Sequence, residues 1–194
     1  METVLSICIG LGLSAACGFR LFVPPLVMSL AARGGYLELT DGFAWLGSTP
    51  ALIAFSVATA LEIGAYYVPW LDNLLDTIAS PAAVVAGILA TASVVTGMDP
   101  FLKWSLALIA GGSVAGTVQV LTSGARGLST LTTAGLGNPL LATSEAGGAV
   151  GLALLAVFAP VLAFLAVVVV LGWTISRARK RSPVAALNGP VEQR

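Results

Sequence analysis

Glu62 and Tyr66 stand four residues apart in SVATALEIGAYYVP, so on a helix they share a face and the phenol can hydrogen-bond the carboxylate. A carboxylate in so apolar a run costs a few kcal/mol unless it is paired, hydrated or protonated. Arg20, in GFRLFVPP, poses the same question with the opposite charge. Its guanidinium either snorkels to the near interface or meets an acid, an anionic substrate or a lipid head group. Further along, SGARGLSTLTTAGLGNP offers hydroxyls, flexible backbone and Arg126, a combination able to bind an anion through N–H groups. It lacks the G-K-[ST] ending of a nucleotide-binding loop. Glu145 follows and can pair with Arg126 across the stretch, as a structural staple or as part of a path; Gln119 precedes it. Asp72, Asn73 and Asp76 in PWLDNLLD share one face if helical, and would either draw cations to a pore mouth or form a solvated turn beside the interface residue Trp70.

Catalysis is not expected from these residues. The chain has no histidine, which removes the commonest general base and the commonest metal ligand. A serine triad therefore lacks its base. Cys8 and Cys17 lie in the first apolar run, where a thiol behaves as a small hydrophobe. Neither enzyme activity, a metal nor a cofactor is expected. Nine basic and nine acidic residues balance to zero, so no attraction to nucleic acid is expected either.

The elements that must position these groups are membrane helices. Hydrophobic residues make up 57% of the chain and charged ones 9%, with a mean hydropathy of +0.97. That is too few charges to cover a soluble domain. Lipid requires every backbone group to be paired internally, and no strict alternation of a barrel is present. The expected fold is all-α, a polytopic transmembrane bundle. Five long segments are read near 3–22, 48–68, 78–97, 101–121 and 146–173. Two stretches, VPPLVMSLAARGG and TSGARGLSTLTTAGLGNPLLATSE, read as broken or re-entrant pieces. Helix breaks are expected at Pro24, Pro25, Pro69, Gly124 and Pro160. Gly10, Ser14 and Gly18 recur every four residues, as do Gly112 with Gly116 and Gly147 with Gly151. Such faces allow close helix packing, within the chain or between copies in a homo-oligomer.

Laying Gly12 over Gly111 brings Ser14 to Ser113, Arg20 to Gln119 and Pro25 to Gly124, and Pro69 has a counterpart in Pro160. This suggests repeats over 3–70 and 101–173, joined by a connector helix at 78–97, in one membrane domain spanning 1–176. The RARKR run places the C-terminus in the cytoplasm, with a disordered basic tail over 177–194. Walking back from it puts 122–145 and WLDNLLD outside, 98–100 and 33–47 inside, and the N-terminus outside. The two repeats are then inverted, an arrangement found in transporters. METVLSICIG has no basic start, which favours a retained first helix over a cleaved signal.

GFRLFVPP and the later phrase E-x-x-A/G-Y-Y-x-P-W-x-D-N-x-L-D resemble a family of small bacterial membrane proteins labelled domain of unknown function 4126, over about residues 5 to 170. The resemblance implies an integral membrane protein, with no substrate or catalytic residue to carry over. It directs attention to Arg20, Pro24, Pro25, Glu62, Tyr66, Pro69, Asp72, Asn73 and Asp76. The expectation is a multi-pass protein of the bacterial inner membrane, a small transporter or channel for a small molecule or ion. Its path would lie between the first, second, fourth and fifth segments. An accessory oligomeric protein and a lipid-handling protein are the alternatives.

Overall fold

Proline and glycine decide where each helix starts and stops. The computed structural model describes residues 1–67 and 69–181, with the side chains of 69–76, 175 and 178–181 outside the description. Helix α1 (Glu2–Phe19) ends where Arg20 turns extended, at φ −146° and ψ 131°. Helix α2 (Val23–Arg33) carries Pro24 and Pro25 in its first turn, where a missing N–H loses no bond. A 3₁₀ segment, Asp41–Gly47, leads into α3 (Thr49–Ala65), whose first turn is capped by Ser48 Oγ accepting the Ala51 N–H at 3.3 Å. Helix α4 (Pro69–Val94) begins at the expected proline. Asp99 Oδ1 accepts the Phe101 N–H at 2.9 Å to cap α5 (Pro100–Leu106). A π-helical turn, Ala107–Gly111, joins α5 to α6 (Gly112–Thr133). Helices α7 (Asn138–Phe158) and α8 (Pro160–Arg181) complete the chain.

Four stretches are long and apolar enough to cross a bilayer: Glu2–Phe19, Thr77–Val94, Pro100–Thr133 and Asn138–Phe158. A fifth is formed if Asp41–Gly47 and Thr49–Ala65, bent by 67°, count as one. Each of the five expected segments thus finds a helix, but the breaks differ in two places.

The Thr-rich stretch after Leu121 is no re-entrant piece. It is the end of α6, a short turn and the start of α7, and Gly124 sits inside α6 rather than at a break. Its hydroxyls bond back along the helix, as in Thr132 Oγ1 to Leu128 O at 2.8 Å and Thr133 Oγ1 to Ser129 O at 2.7 Å. The residues that looked like helix breakers thus spend their polarity on the helix itself. The chain turns at Ala134 and Gly135, both at positive φ. The stretch VPPLVMSLAARGG is likewise a regular helix, α2. The expected segment over 146–173 is cut into α7 and α8 at Pro160, where the break was expected.

Contacts fix the directions. Gly10 faces Thr91 and Val94, while Thr96 N donates to Ser6 Oγ, so α4 runs antiparallel to α1. Gly18 faces Ala115 and Val118, and Ser14 Oγ donates to Gly111 O at 2.5 Å, so α6 runs parallel to it. Gly12 faces both Ala156 and Ala163, at the α7–α8 hairpin. The segment after α2 lies at the opposite end from Arg20, since Thr40 N donates to Ser93 O at 2.8 Å near the end of α4. The 33–47 stretch and the α4–α5 turn therefore sit at the end that holds the N-terminus, with Gly97 against Thr3. The α3–α4 and α6–α7 junctions sit at Arg20's end. All four assignments reverse the sequence reading relative to Arg20. Adding a crossing at α2 and another at Pro160 keeps the two termini at opposite ends. The pair matched as a repeat, α1 and α6, runs in one direction, so the match makes no inverted repeat. Helix α4, expected as a connector, packs at the centre against both. Helix α8 carries Arg177 to Arg181 as helix rather than tail, and 182–194 lie outside the described residues.

Glycines build this centre. The α1 face of Gly10, Ser14 and Gly18 is consumed within the chain by α4 and α6, and Gly112 and Gly116 meet Val84 of α4. Gly147 and Gly151 meet nothing within 4 Å. Ser14 is the polar bond of the crossing, its Oγ donating to the Gly111 carbonyl at the end of the π-helical turn. Ser14→Ala removes that buried hydrogen bond and should cost about 0.5–1.5 kcal/mol. Equilibrium unfolding in mixed micelles checks it.

Candidate functional site

Five side chains, from the α1–α2 break and three helices, meet where α1 gives way to α2. Arg20 comes from that break, Glu62 and Tyr66 from α3, Arg126 from α6 and Glu145 from α7. The sequence path between the first, second, fourth and fifth segments names these helices, α1, α3, α6 and α7. Arg20 and Arg126 are 1% and 2% exposed, so neither snorkels, and Glu145 is 6% exposed. The 18-residue α1 rises about 27 Å, so the cluster lies at the end of the bundle opposite the N-terminus.

Glu145 is the hub. Arg126 grips it with two donors, Nε to Oε1 at 3.1 Å and Nη2 to Oε2 at 2.5 Å. This forked geometry is the strong form of the arginine–carboxylate pair. Arg20 Nη2 stands 3.5 Å from the same Oε2 and donates to Ala142 O at 2.8 Å. The spacing of Glu145 and Ala142, three residues apart on α7, puts both on one face toward Arg20. The Tyr66 ring lies against both cations, 3.8 Å from the Arg20 guanidinium carbon and 4.2 Å from that of Arg126. Its π face stabilises them where water is scarce. Tyr67 Oη and Thr143 Oγ1, 2.8 Å apart, tie the end of α3 to α7 beside the cluster.

Glu62 does something the sequence did not announce. It does not bond the Tyr66 phenol. Its two oxygens accept the backbone N–H groups of Leu21, at 2.7 Å, and Phe22, at 3.0 Å. These are orphan donors at the start of α2, where the dipole also favours an anion. A carboxylate from a neighbouring helix thus caps the break. The signal was in the sequence, since a proline pair marks a helix start with unpaired N–H groups just before it.

Arg20 Nε and Nη1 are buried and have no hydrogen-bond partner. Gln119 shares the buried face of α6 and donates to Ser123 Oγ at 3.0 Å, so it does not join the cluster. Asp72, Asn73 and Asp76 belong to α4, and their side chains lie outside the described residues. Among the described residues no group of three His, Cys, Asp or Glu side chains is placed to hold a metal.

On the far side of Leu21 and Phe22 lies a groove of about 510 Å³ between α2, the 3₁₀ segment, α3 and α4. Met28, Phe43, Trp45, Phe55, Pro81 and Leu89 are among its walls. The sequence reading missed it, because its lining comes from four elements and carries no motif.

Apolar helices long enough to span a bilayer, folded around a buried arginine–glutamate knot, define a multi-pass integral membrane protein. The chain belongs to the family described as domain of unknown function (DUF4126), whose model matches residues 7–180. No curated protein and no solved structure matches it.

Proposed function

We propose that the protein is a small transporter of anions, with the Arg20–Arg126–Glu145–Glu62 cluster as its binding station. The observation that carries this reading is Arg20, a buried guanidinium with Nε and Nη1 unpartnered. Ionisable groups at membrane depth are expensive and mark substrate paths when they face the inside of a bundle. Both carboxylates occupy positions an incoming anion would take, one between two arginines and one on a helix N-terminus. The RARKR run at the end of α8 supports a cytoplasmic C-terminus in a bacterial inner membrane, which puts the cluster near the cytoplasmic face.

The test is uptake into proteoliposomes of radiolabelled acetate, inorganic phosphate and hexadecyl phosphate. At least one should enter faster than into protein-free vesicles. Glu62→Gln, which removes the charge and keeps one acceptor for the two N–H groups of the α2 cap, should cut that uptake at least tenfold while the protein still elutes as folded on size exclusion. Uptake of none of the three, or a silent Glu62→Gln, overturns the reading.

A further inference from the structure

We infer that the cluster and the groove form one site for a single-chain anionic lipid, with the head at Arg20 and the tail in the groove; this rests on reading the cluster as an anion station. The two features share a wall. Leu21 and Phe22 line the groove with their side chains and hand their N–H groups to Glu62. Arg20, the preceding residue, holds the unpartnered Nε and Nη1.

Size and depth agree with that occupant. The groove's 510 Å³ falls inside the roughly 300–1,000 Å³ of small-molecule sites. Along α4 its lining runs from Ile78 to Ser93, about 22 Å at helical rise, which suits one extended acyl chain. Apolar side chains form nearly all of its surface, so it offers a tail contact and no head contact. The charge lies at one end only, as a lipid carries its phosphate. At the other end Phe43 packs on Trp104 and Trp45 on Phe55, the aromatic girdle expected at the opposite interface.

Glu62 is the latch. Its carboxylate occupies the α2 N-terminus now, and Arg20 is shielded behind the break. A phosphate entering from the groove end takes over the Leu21 and Phe22 donors and meets the free edge of Arg20, which a planar guanidinium presents as a fork.

Binding of radiolabelled hexadecyl phosphate to the full chain in maltoside micelles tests this. Inorganic phosphate supplies the head alone and hexadecanol the tail alone; each should compete at least a hundredfold more weakly. Val85→Trp fills the groove from a residue that is 54% exposed, away from the charges, and should weaken binding at least tenfold without loss of folded protein. Arg20→Lys, which keeps the charge and loses the fork, should do the same. No binding by the wild type, equal competition by hexadecanol or by phosphate, or a neutral Val85→Trp overturns the inference. Acetate or phosphate uptake persisting without lipid binding would leave the transport reading standing and sink this one alone.

Discussion

Glu145→Ala should cost about 3–5 kcal/mol of stability, the penalty for breaking a buried ion pair by removing one member. The size follows from the geometry. One carboxylate answers Arg126 twice and Arg20 once, so a single substitution takes the same carboxylate from both guanidinium groups that pack on Tyr66. Like charges then repel in a medium that screens poorly. The double variant Arg126→Met, Glu145→Leu should recover part of the loss, because it removes the forked pair while Arg20 keeps only the Ala142 carbonyl. Equilibrium unfolding in mixed micelles gives both numbers. A Glu145→Ala cost below 1 kcal/mol would show that the cluster is open to water and not the dry knot described.

Gly18→Val should yield no folded monomer. A Cβ at Gly18 would lie 2.5 Å from the Ala115 carbonyl oxygen and 2.5 Å from Val118 Cβ, distances that a rigid helix crossing cannot absorb. Gly18→Ala brings the same Cβ against the Ala115 carbonyl and Val118, and should already cost about 3 kcal/mol or more as overpacking. Gly147→Ala is the control. Nothing lies within 4 Å of its Cβ, and alanine favours helix over glycine, so it should match the wild type or exceed it by up to about 1 kcal/mol. Size-exclusion profiles of detergent-solubilised protein separate these outcomes. Identical profiles for Gly18→Val and Gly147→Ala would mean that α1 and α6 do not cross as described.

Sequence alone located the membrane helices well because their signal is local. Apolar length set α1, α3 and α4, and the prolines at 24, 25, 69 and 160 marked true helix starts or breaks. The Arg126–Glu145 pair was legible because both residues flank one turn. Composition misled where one residue type has two uses. Thr and Gly after Leu121 read as irregular backbone, yet the hydroxyls bond their own helix. VPPLVMSLAARGG, the stretch that forms α2, reads as a broken or re-entrant piece and is a regular helix. That it returns to the other end is visible only in Thr40 meeting Ser93. Arg20's partners are Glu145 and Ala142, and the acceptor of the Leu21 N–H is Glu62. Such distant pairings leave no mark in spacing, and the groove, built from four elements, leaves none either.

The α1–α2 break also sets a schedule. The Leu21 N–H waits 41 residues for the carboxylate that receives it, and Arg20 waits 122 for its carbonyl. A ribosome delivers α1 and α2 to the membrane long before either partner exists. During that interval the arginine cannot be settled in lipid. The first third of the chain is then expected to stay beside the insertion machinery, or at the wet surface, until α7 arrives. Truncated nascent chains ending before Glu145 should be extractable from the membrane by alkaline carbonate, while chains that include α7 resist it.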